Sequence, residues 1–256
     1  MKWYFAYNAY TEAAQFPLIR MAVNSARRYT NLEPNCIISG PPGICSAWLE
    51  NQGVKVHFRD IRILADLLRH KEANPDFDLF SARGAYLRLE IGEIEHDDKY
   101  VLYTDTDVMF RSLNGIESVR PWILAMAPEM DKRGRRNPNT GVMVINVRRF
   151  HQWVDRIYDL VRRGPSEMLA HDQTAIIKVL RWRWQRLPPV FNWKPYWGYS
   201  DRAKIVHWHG PKPAHAQMML AGDVDRFPEP LQFLFRMNPE AYRTYLPFAQ
   251  DLARGA

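Results

Sequence analysis

A four-residue apolar run, Tyr100-Val-Leu-Tyr103, leads through Thr104 into Asp105-Thr-Asp107. A stretch that short, apolar at every position and containing a β-branched residue, reads as a strand buried on both faces. Such strands belong to parallel sheets covered by helices on both sides. A chain built around one is therefore an α/β protein, and its aspartates sit at the strand's carboxyl end, where open α/β sheets keep their ligands. At period-two spacing, Asp105 and Asp107 project to one side of an extended backbone. Two carboxylates so placed repel one another unless a cation lies between them, and hard oxygen donors suit Mg²⁺ or Mn²⁺. The alternative is a solvated loop that carries two acidic residues.

The rest of the chain alternates in the same manner. Residues 3–7 read as a first strand, 16–26 as an amphipathic helix with Pro17 in its first turn, and 35–39 as a second strand. Gly40-Pro-Pro-Gly43 closes that strand as a turn and not a phosphate loop, because no Gly-Lys-Ser/Thr follows. A third strand over 54–58, a helix over 61–69 and a further helix over 80–94 deliver the chain into the aspartate strand. Beyond it, 122–126 and 142–146 read as strands around the basic segment Asp131-Lys-Arg-Gly-Arg-Arg-Asn137, a solvated loop or, alternatively, a phosphate-binding one. Helices follow over 150–163 and 168–181, strands over 184–187 and 205–209, and a helical tail from Ala214. The apolar stripe in that tail is core or a subunit face, with membrane-surface docking the other option. Alternation without repeats or low-complexity linkers predicts one α/β domain with a largely parallel sheet. The lack of a Gly-x-Gly-x-x-Gly run argues against a dinucleotide dehydrogenase.

Charge and cysteine content narrow the partners. The 256 residues carry a formal net charge of +7, which implies an anionic partner such as a nucleotide or an anionic membrane surface. No nucleic-acid module is recognisable. Cys36 and Cys45 are the only cysteines and each lies on or beside an apolar segment, so a disulfide framework is not expected and a reducing compartment is. Neither a signal peptide nor a membrane-spanning run is visible.

Five landmarks, in order, carry a resemblance. Tyr86-Leu-Arg-Leu89, Val101-Leu-Tyr-Thr-Asp-Thr-Asp107, Asn139-Thr-Gly-Val-Met-Val-Ile-Asn146, Asp172-Gln173 and Ile205-Val-His-Trp-His-Gly-Pro-Lys-Pro213 span most of the chain. Together they resemble the family 8 glycosyltransferases, retaining enzymes of the GT-A fold. The resemblance implies a GT-A-like single domain with a mostly parallel central sheet and a helical C-terminal tail. Residues 1–110 would form its nucleotide-binding half, 111–213 its acceptor and sugar half, and 214–256 a helical extension. It further implies a Mn²⁺ or Mg²⁺ site made by Asp105, Asp107 and His207 and a UDP-sugar donor whose phosphates meet Lys212 and Arg88. Asn8, Tyr10, Gly210 and Asn139 join Arg88, Asp105 and Lys212 in donor binding. Asp172 and Gln173 face the sugar as the candidate catalytic pair, and Asn192 lines the same site. A glycan, lipid-linked or polysaccharide acceptor and a cytoplasmic location, with the inner membrane face as a further option, complete the expectation.

Several positions depart from the family pattern. One residue, Pro211, separates Gly210 from Lys212 where the family usually has two, which leaves the lysine's reach open. Asn8 stands where an aspartate near the uridine is common; an amide still donates and accepts hydrogen bonds, without the charge. His209 falls two residues past His207 and competes with it as a metal ligand. Asp172 also fits a helix N-terminus, where the dipole favours an acid. His57, His70 and His215 have no partner pattern and read as structural. No general base is evident; Glu129, Asp131 and Glu167 are the fallback candidates for an inverting reaction. Two further readings stay open: a nucleotidyltransferase, which has no need of the His-Trp-His-Gly-Pro-Lys-Pro segment, and a nucleotide-sugar-binding protein of the same fold without turnover.

Overall fold

The computed structural model describes residues 1–134, 137–163 and 172–255. Its frame is a seven-stranded sheet in the order β3-β2-β1-β4-β7-β6-β8, comprising β1 Lys2–Asn8, β2 Glu33–Ser39, β3 Lys55–Phe58, β4 Tyr100–Thr104, β6 Leu124–Pro128, β7 Pro138–Asn146 and β8 Gln185–Arg186. Strands β3, β2, β1 and β4 run parallel, β7 is antiparallel to both its neighbours, and β8 returns parallel to β6. The sheet is thus mostly parallel, as the aspartate strand predicted. A separate two-stranded ribbon joins β5 Val108–Phe110 to β9 Ile205–His207.

Strand pattern decides what covers each face. Along β1, Tyr4 and Ala6 enter one apolar core while Trp3, Phe5 and Tyr7 enter the other; on β4, Val101 and Tyr103 split from Leu102 in the same way. The first core is closed by α3 Leu64–Ala73, α4 Leu79–Tyr86, α6 Val147–Arg163 and α7 Asp172–Leu180, the second by α1 Glu12–Tyr29 and α2 Ile44–Asn51. The C-terminal helices α8 Pro213–Leu220, α9 Glu229–Met237 and α10 Pro239–Arg254 build a third core with Met21 of α1 and Met109 of β5. Cys36 and Cys45 are buried and free.

Four sequence expectations need correction. The helix expected over 80–94 is broken: α4 ends at Tyr86, Leu87–Glu90 tightens into a 3₁₀ turn, and α5 Ile91–Ile94 follows. All four residues of the tight turn are buried, including Arg88 and Glu90, so ion pairing inside the fold and not helix propensity sets the backbone there. The last strand stops at His207, which leaves His209 beyond the ribbon. The strand expected over 122–126 lies two residues later, because Trp122 is exposed and arginine-stacked. The strand expected over 142–146 starts four residues earlier, and β6 and β7 form a hairpin whose loop holds the basic segment. Arg135, Arg136, Glu167 and the opening of the helix expected from Met168 lie outside the described residues.

Candidate metal centre and donor cleft

β1 and β4 run parallel, so Asn8 and Asp105 both arrive at the carboxyl edge of the sheet, β1 extending further than β4. β7 enters that edge from the opposite direction, and the Asp105 N–H donates to the Gly141 carbonyl at 2.8 Å. The backbone then bends at Thr106, whose hydroxyl donates to Gln15 on α1 at 2.6 Å. The two aspartates therefore converge through a bend and not along an extended strand. Strand β5 follows at once and pairs Val108 with His207, which sets His207 beside Asp107. His207 Nε2 lies 3.2 Å from Asp107 Oδ1 and 3.9 Å from Asp105 Oδ2. One donor atom from each of the three residues falls within 4.8 Å of the others.

The donor set fits a divalent cation. It offers two carboxylates and one imidazole, a combination that suits Mn²⁺ and accommodates Mg²⁺ through its oxygens. The imidazole is already oriented: His207 Nδ1 is 2.9 Å from Asn192 Oδ1, and the Asn192 amide donates in turn to Asn139 Oδ1 at 2.9 Å. An acceptor on Nδ1 keeps a proton there, so a cation bound between the carboxylates would take the Nε2 lone pair, the usual arrangement around a metal-bound histidine. Gly141 supplies the space. A Cβ at that position would lie 2.2 Å from His207 Cε1 and 2.7 Å from Asp105 Oδ2.

Fixed cations surround the group. Lys212, at the start of α8, directs its ammonium onto Asp107 Oδ2 and donates to the Trp208 carbonyl at 3.1 Å. The shortened Gly-Pro-Lys spacing thus still brings the lysine to the aspartates. Burial would raise the Asp107 pKa, but Lys212 and His207 outweigh it and hold the carboxyl far below the carboxylate range. Arg88 is buried and bridges two acids, with Nη2 2.9 Å from Asp105 Oδ1 and Nε 3.0 Å from Asp172 Oδ2. Its Nη1 donates to the Thr140 carbonyl at 2.7 Å, and its guanidinium lies over the Tyr103 ring at 4.7 Å. Burial disfavours the charged guanidinium, yet Asp105 and Asp172 raise its pKa above the ordinary value. Arg88 thus engages two carboxylates while still lining the cleft in which the sequence placed it for the phosphates.

The remaining predicted residues fall into three places. Asn8, Arg88, Asp105, Asp107 and Lys212 line one cleft of about 450 Å³. The Asn8 side chain caps the turn after β1 through the Tyr10 N–H at 3.2 Å and donates to the Phe80 carbonyl at 3.1 Å, so its polar groups are engaged within the protein. Tyr10 is 57% exposed, stacks on Phe80 with centroids 5.6 Å apart, and faces an adjoining hollow with Gly40 and Arg83. Gly210 has φ +89°, so the backbone there favours glycine, while a Cβ would meet only the movable Leu234 Cδ1 at 2.5 Å. Gln173 Oε1 accepts the Thr140 N–H at 3.0 Å, which ties α7 to the Asn139-Thr-Gly141 end of β7. Asp172 joins through Arg88, not as an isolated helix-start acid.

His209 is set apart from the donor group. Its Nε2 is 3.7 Å from Glu129 Oε1, its Nδ1 is 3.3 Å from the Tyr196 hydroxyl, and burial with neighbouring cations lowers its pKa to about 3. Glu129 also accepts from Gln173, so a fallback base of the sequence reading is part of the polar floor. His57 meets Asn35 at 3.1 Å, His70 packs edge-on to Phe77, and His215 lies beside Phe227 and the Lys212 N–H. Thr140, Gly141 and Lys194 were missed from sequence. Gly141, a glycine opening an otherwise apolar strand, was a legible signal for close approach. Lys194, fully buried with its ammonium 2.6 Å from the Pro128 carbonyl and its pKa pushed well down by burial, gave none.

No family model matches the sequence, and no curated protein matches it either. Solved structures do. The galactosyltransferase LgtC, determined with donor and acceptor sugar analogues, superposes with a TM-score of 0.63 at 20% identity, over 95% of this chain and 99% of that one. The glycosyltransferase GlyE of Streptococcus pneumoniae TIGR4 gives 0.62 at 15% identity, over 96% of this chain and 63% of that one. The chain has a GT-A-like glycosyltransferase fold. Mouse xyloside xylosyltransferase 1 shares it with a TM-score of 0.51 at 18% identity, over 82% of this chain and 98% of that one. Within this GT-A-like frame the Asp-Asp-His group and the cleft lie at the carboxyl edge of β1 and β4, where open α/β sheets hold ligands.

Proposed function

We propose that the chain is a metal-dependent, retaining glycosyltransferase that moves a hexose from a UDP-sugar to a glycan or glycolipid acceptor. The observation that carries this reading is the convergence of Asp105, Asp107 and His207 beside a cleft in a glycosyltransferase fold. A Mn²⁺ or Mg²⁺ ion held by these three residues would supply Lewis-acid neutralisation of charge on the departing diphosphate. Asp105 and Asp107 would hold it through oxygen and His207 through Nε2. Lys212 adds a fixed cation beside Asp107, where negative charge grows as the sugar–phosphate bond breaks. Arg88 holds Asp105 and Asp172 in place. Asn8 and Tyr10 frame the nucleoside end, with the Tyr10 ring exposed for stacking. Asn139 and Gly210 shape the walls.

Asp172 and Gln173 are the proposed groups facing the sugar. Asp172, buried against Arg88, and Gln173, half-buried between Thr140 and Glu129, would stabilise an oxocarbenium-like centre, while a donor phosphate oxygen takes the acceptor proton on the same face. Residues 1–110 would then serve mainly the nucleotide, 111–213 the sugar and acceptor, and 214–256 the support of α1. No helix among the described residues is long and apolar enough to cross a membrane.

A screen of nucleotide sugars tests the proposal. UDP should be released in the presence of Mn²⁺, chelator should abolish release, and Asp107→Ala should lower turnover by at least about a hundredfold, a loss of roughly 3 kcal/mol of transition-state stabilisation. Proton NMR of the first product should show the small anomeric coupling of an α-linkage. Release of pyrophosphate in place of UDP, or turnover that survives chelation, would sink the reading.

A further inference from the structure

A second charged surface lies at the other end of α7 from Asp172. Arg156, Lys178, Arg181 and Arg183 are all exposed, and with Trp153 they line an open groove of about 810 Å³. Among the described residues, no acidic residue lines it and none of the four cations makes an ion pair. Their neighbours behave otherwise: Arg162, on the same helix as Arg156, is held by Asp66 and Asp159, and Arg62 by Glu90 and Asp155. Two of the cations stack on one indole instead. Arg156 and Arg183 sit over the Trp153 ring at 4.8 and 5.3 Å, and Trp182 stands out from the surface at 82% exposure.

The backbone that presents them is strained. Arg181, just past the last residue of α7, has φ +50° and is the only non-glycine residue with positive φ among those described. Glycine is the usual occupant of that position after a helix, and an arginine there costs conformational energy. The turn aims Arg181, Trp182 and Arg183 outward before β8 begins. Outliers of this kind persist where the surface they create has a use.

We propose that this surface docks the protein on an anionic phospholipid bilayer. Lipid phosphates and carboxylates complement the unpaired guanidinium and ammonium groups. The bilayer interface also accepts an exposed indole, which a dissolved anion has no means of desolvating. The proposal is independent of the catalytic reading, since none of these residues belongs to the metal centre or the donor cleft.

Sedimentation with vesicles tests it. The full chain should bind vesicles of phosphatidylcholine containing about a third phosphatidylglycerol, bind pure phosphatidylcholine far less, and release as salt rises. Each cation near a charged leaflet contributes roughly fivefold to partitioning, so Lys178→Gln with Arg183→Gln should weaken binding roughly 25-fold. The control pair Arg202→Gln with Arg226→Gln removes the same charge elsewhere and should weaken it less than about threefold. Arg181→Gly relieves the strained turn while deleting one cation, so it should melt no lower than wild type and still bind less. Trp182→Ala should reduce binding and remove a blue shift of tryptophan emission. Equal losses in patch and control pairs, equal binding to neutral vesicles, or patch-dependent retention by soluble dextran sulfate without vesicle binding would each overturn the proposal.

Discussion

Gly141 carries a hydrogen where other residues carry a Cβ, and three site atoms close on that point: His207 Cε1, Asp105 Oδ2 and Asn139 Oδ1. Alanine there cannot be relieved by one flexible side chain, because the displaced atoms belong to the donor group. Gly141→Ala should therefore weaken Mn²⁺ binding, read by calorimetry, by more than tenfold and reduce UDP release at least as much. The positions of Asn139 and Asn192 follow the same logic at one remove. Asn192 is fully buried and accepts from His207 Nδ1. Asn192→Leu keeps the volume and deletes that acceptor, so Mn²⁺ affinity should fall about 10- to 100-fold. A titration that finds the metal affinity unchanged would show that His207 needs no such orientation.

At the scale of elements, β1 and the start of β4 are pinned by Glu95, at the end of α5. Its carboxylate accepts from the Tyr4 hydroxyl at 2.7 Å, from Lys2 Nζ at 3.0 Å and from the Asp97 and Asp98 N–H groups at 2.8 Å each. Burial would raise its pKa, but the Asp98 N–H, the Tyr4 hydroxyl, Lys2 and the Asp97 N–H together bring it down to about 2. The folded state thus binds this proton more weakly than the unfolded chain, whose glutamate titrates near 4.5. The resulting stability, on the order of 3 kcal/mol, is fully present above that value and is lost as pH falls from about 4.5 toward about 2. Glu95→Gln should flatten that limb of the stability curve, measured by urea melts across pH 2 to 7, and lower stability at neutral pH. Parallel wild-type and variant curves would show that the network carries no linkage.

For the whole molecule, the C-terminal helices are part of the frame and not an appendage. Six residues of α10 are buried, Ala241, Tyr242, Tyr245, Leu246, Ala249 and Leu252, and they pack in the core shared with Met21 of α1 and Trp208 beside the site. The Tyr245 hydroxyl also receives the Ser200 N–H at 2.9 Å. Removing residues 239–256 would expose that surface and unsupport α1, whose Gln15 holds Thr106 between the two aspartates. At roughly 25 cal/mol per Å² of apolar surface, the loss exceeds the marginal stability of an ordinary domain. Truncated protein should be insoluble or lack a cooperative thermal transition. A soluble fragment with normal melting would show that the tail is dispensable.

The mostly parallel sheet and the carboxyl edge that holds the aspartate pair were legible because buried strands leave uninterrupted apolar runs; the strand order, the antiparallel β7 and the β5–β9 ribbon were not. Asp105 and Asp107 stood out as a candidate cation-binding pair against the alternative of a solvated loop, and His207 joined them only through the resemblance to family 8. Contacts between distant segments were not legible. That Arg88 meets Asp172 depends on a residue two helices and four strands later in the chain. His207 is distinguished from His209 by where β9 leaves its partner β5, a matter of pairing length that the run Ile-Val-His-Trp-His does not encode. Sequence periodicity fixes which face a residue takes and which edge its strand reaches; only the packed chain decides which buried charges meet, because each pairing is chosen against desolvation by all the elements around it.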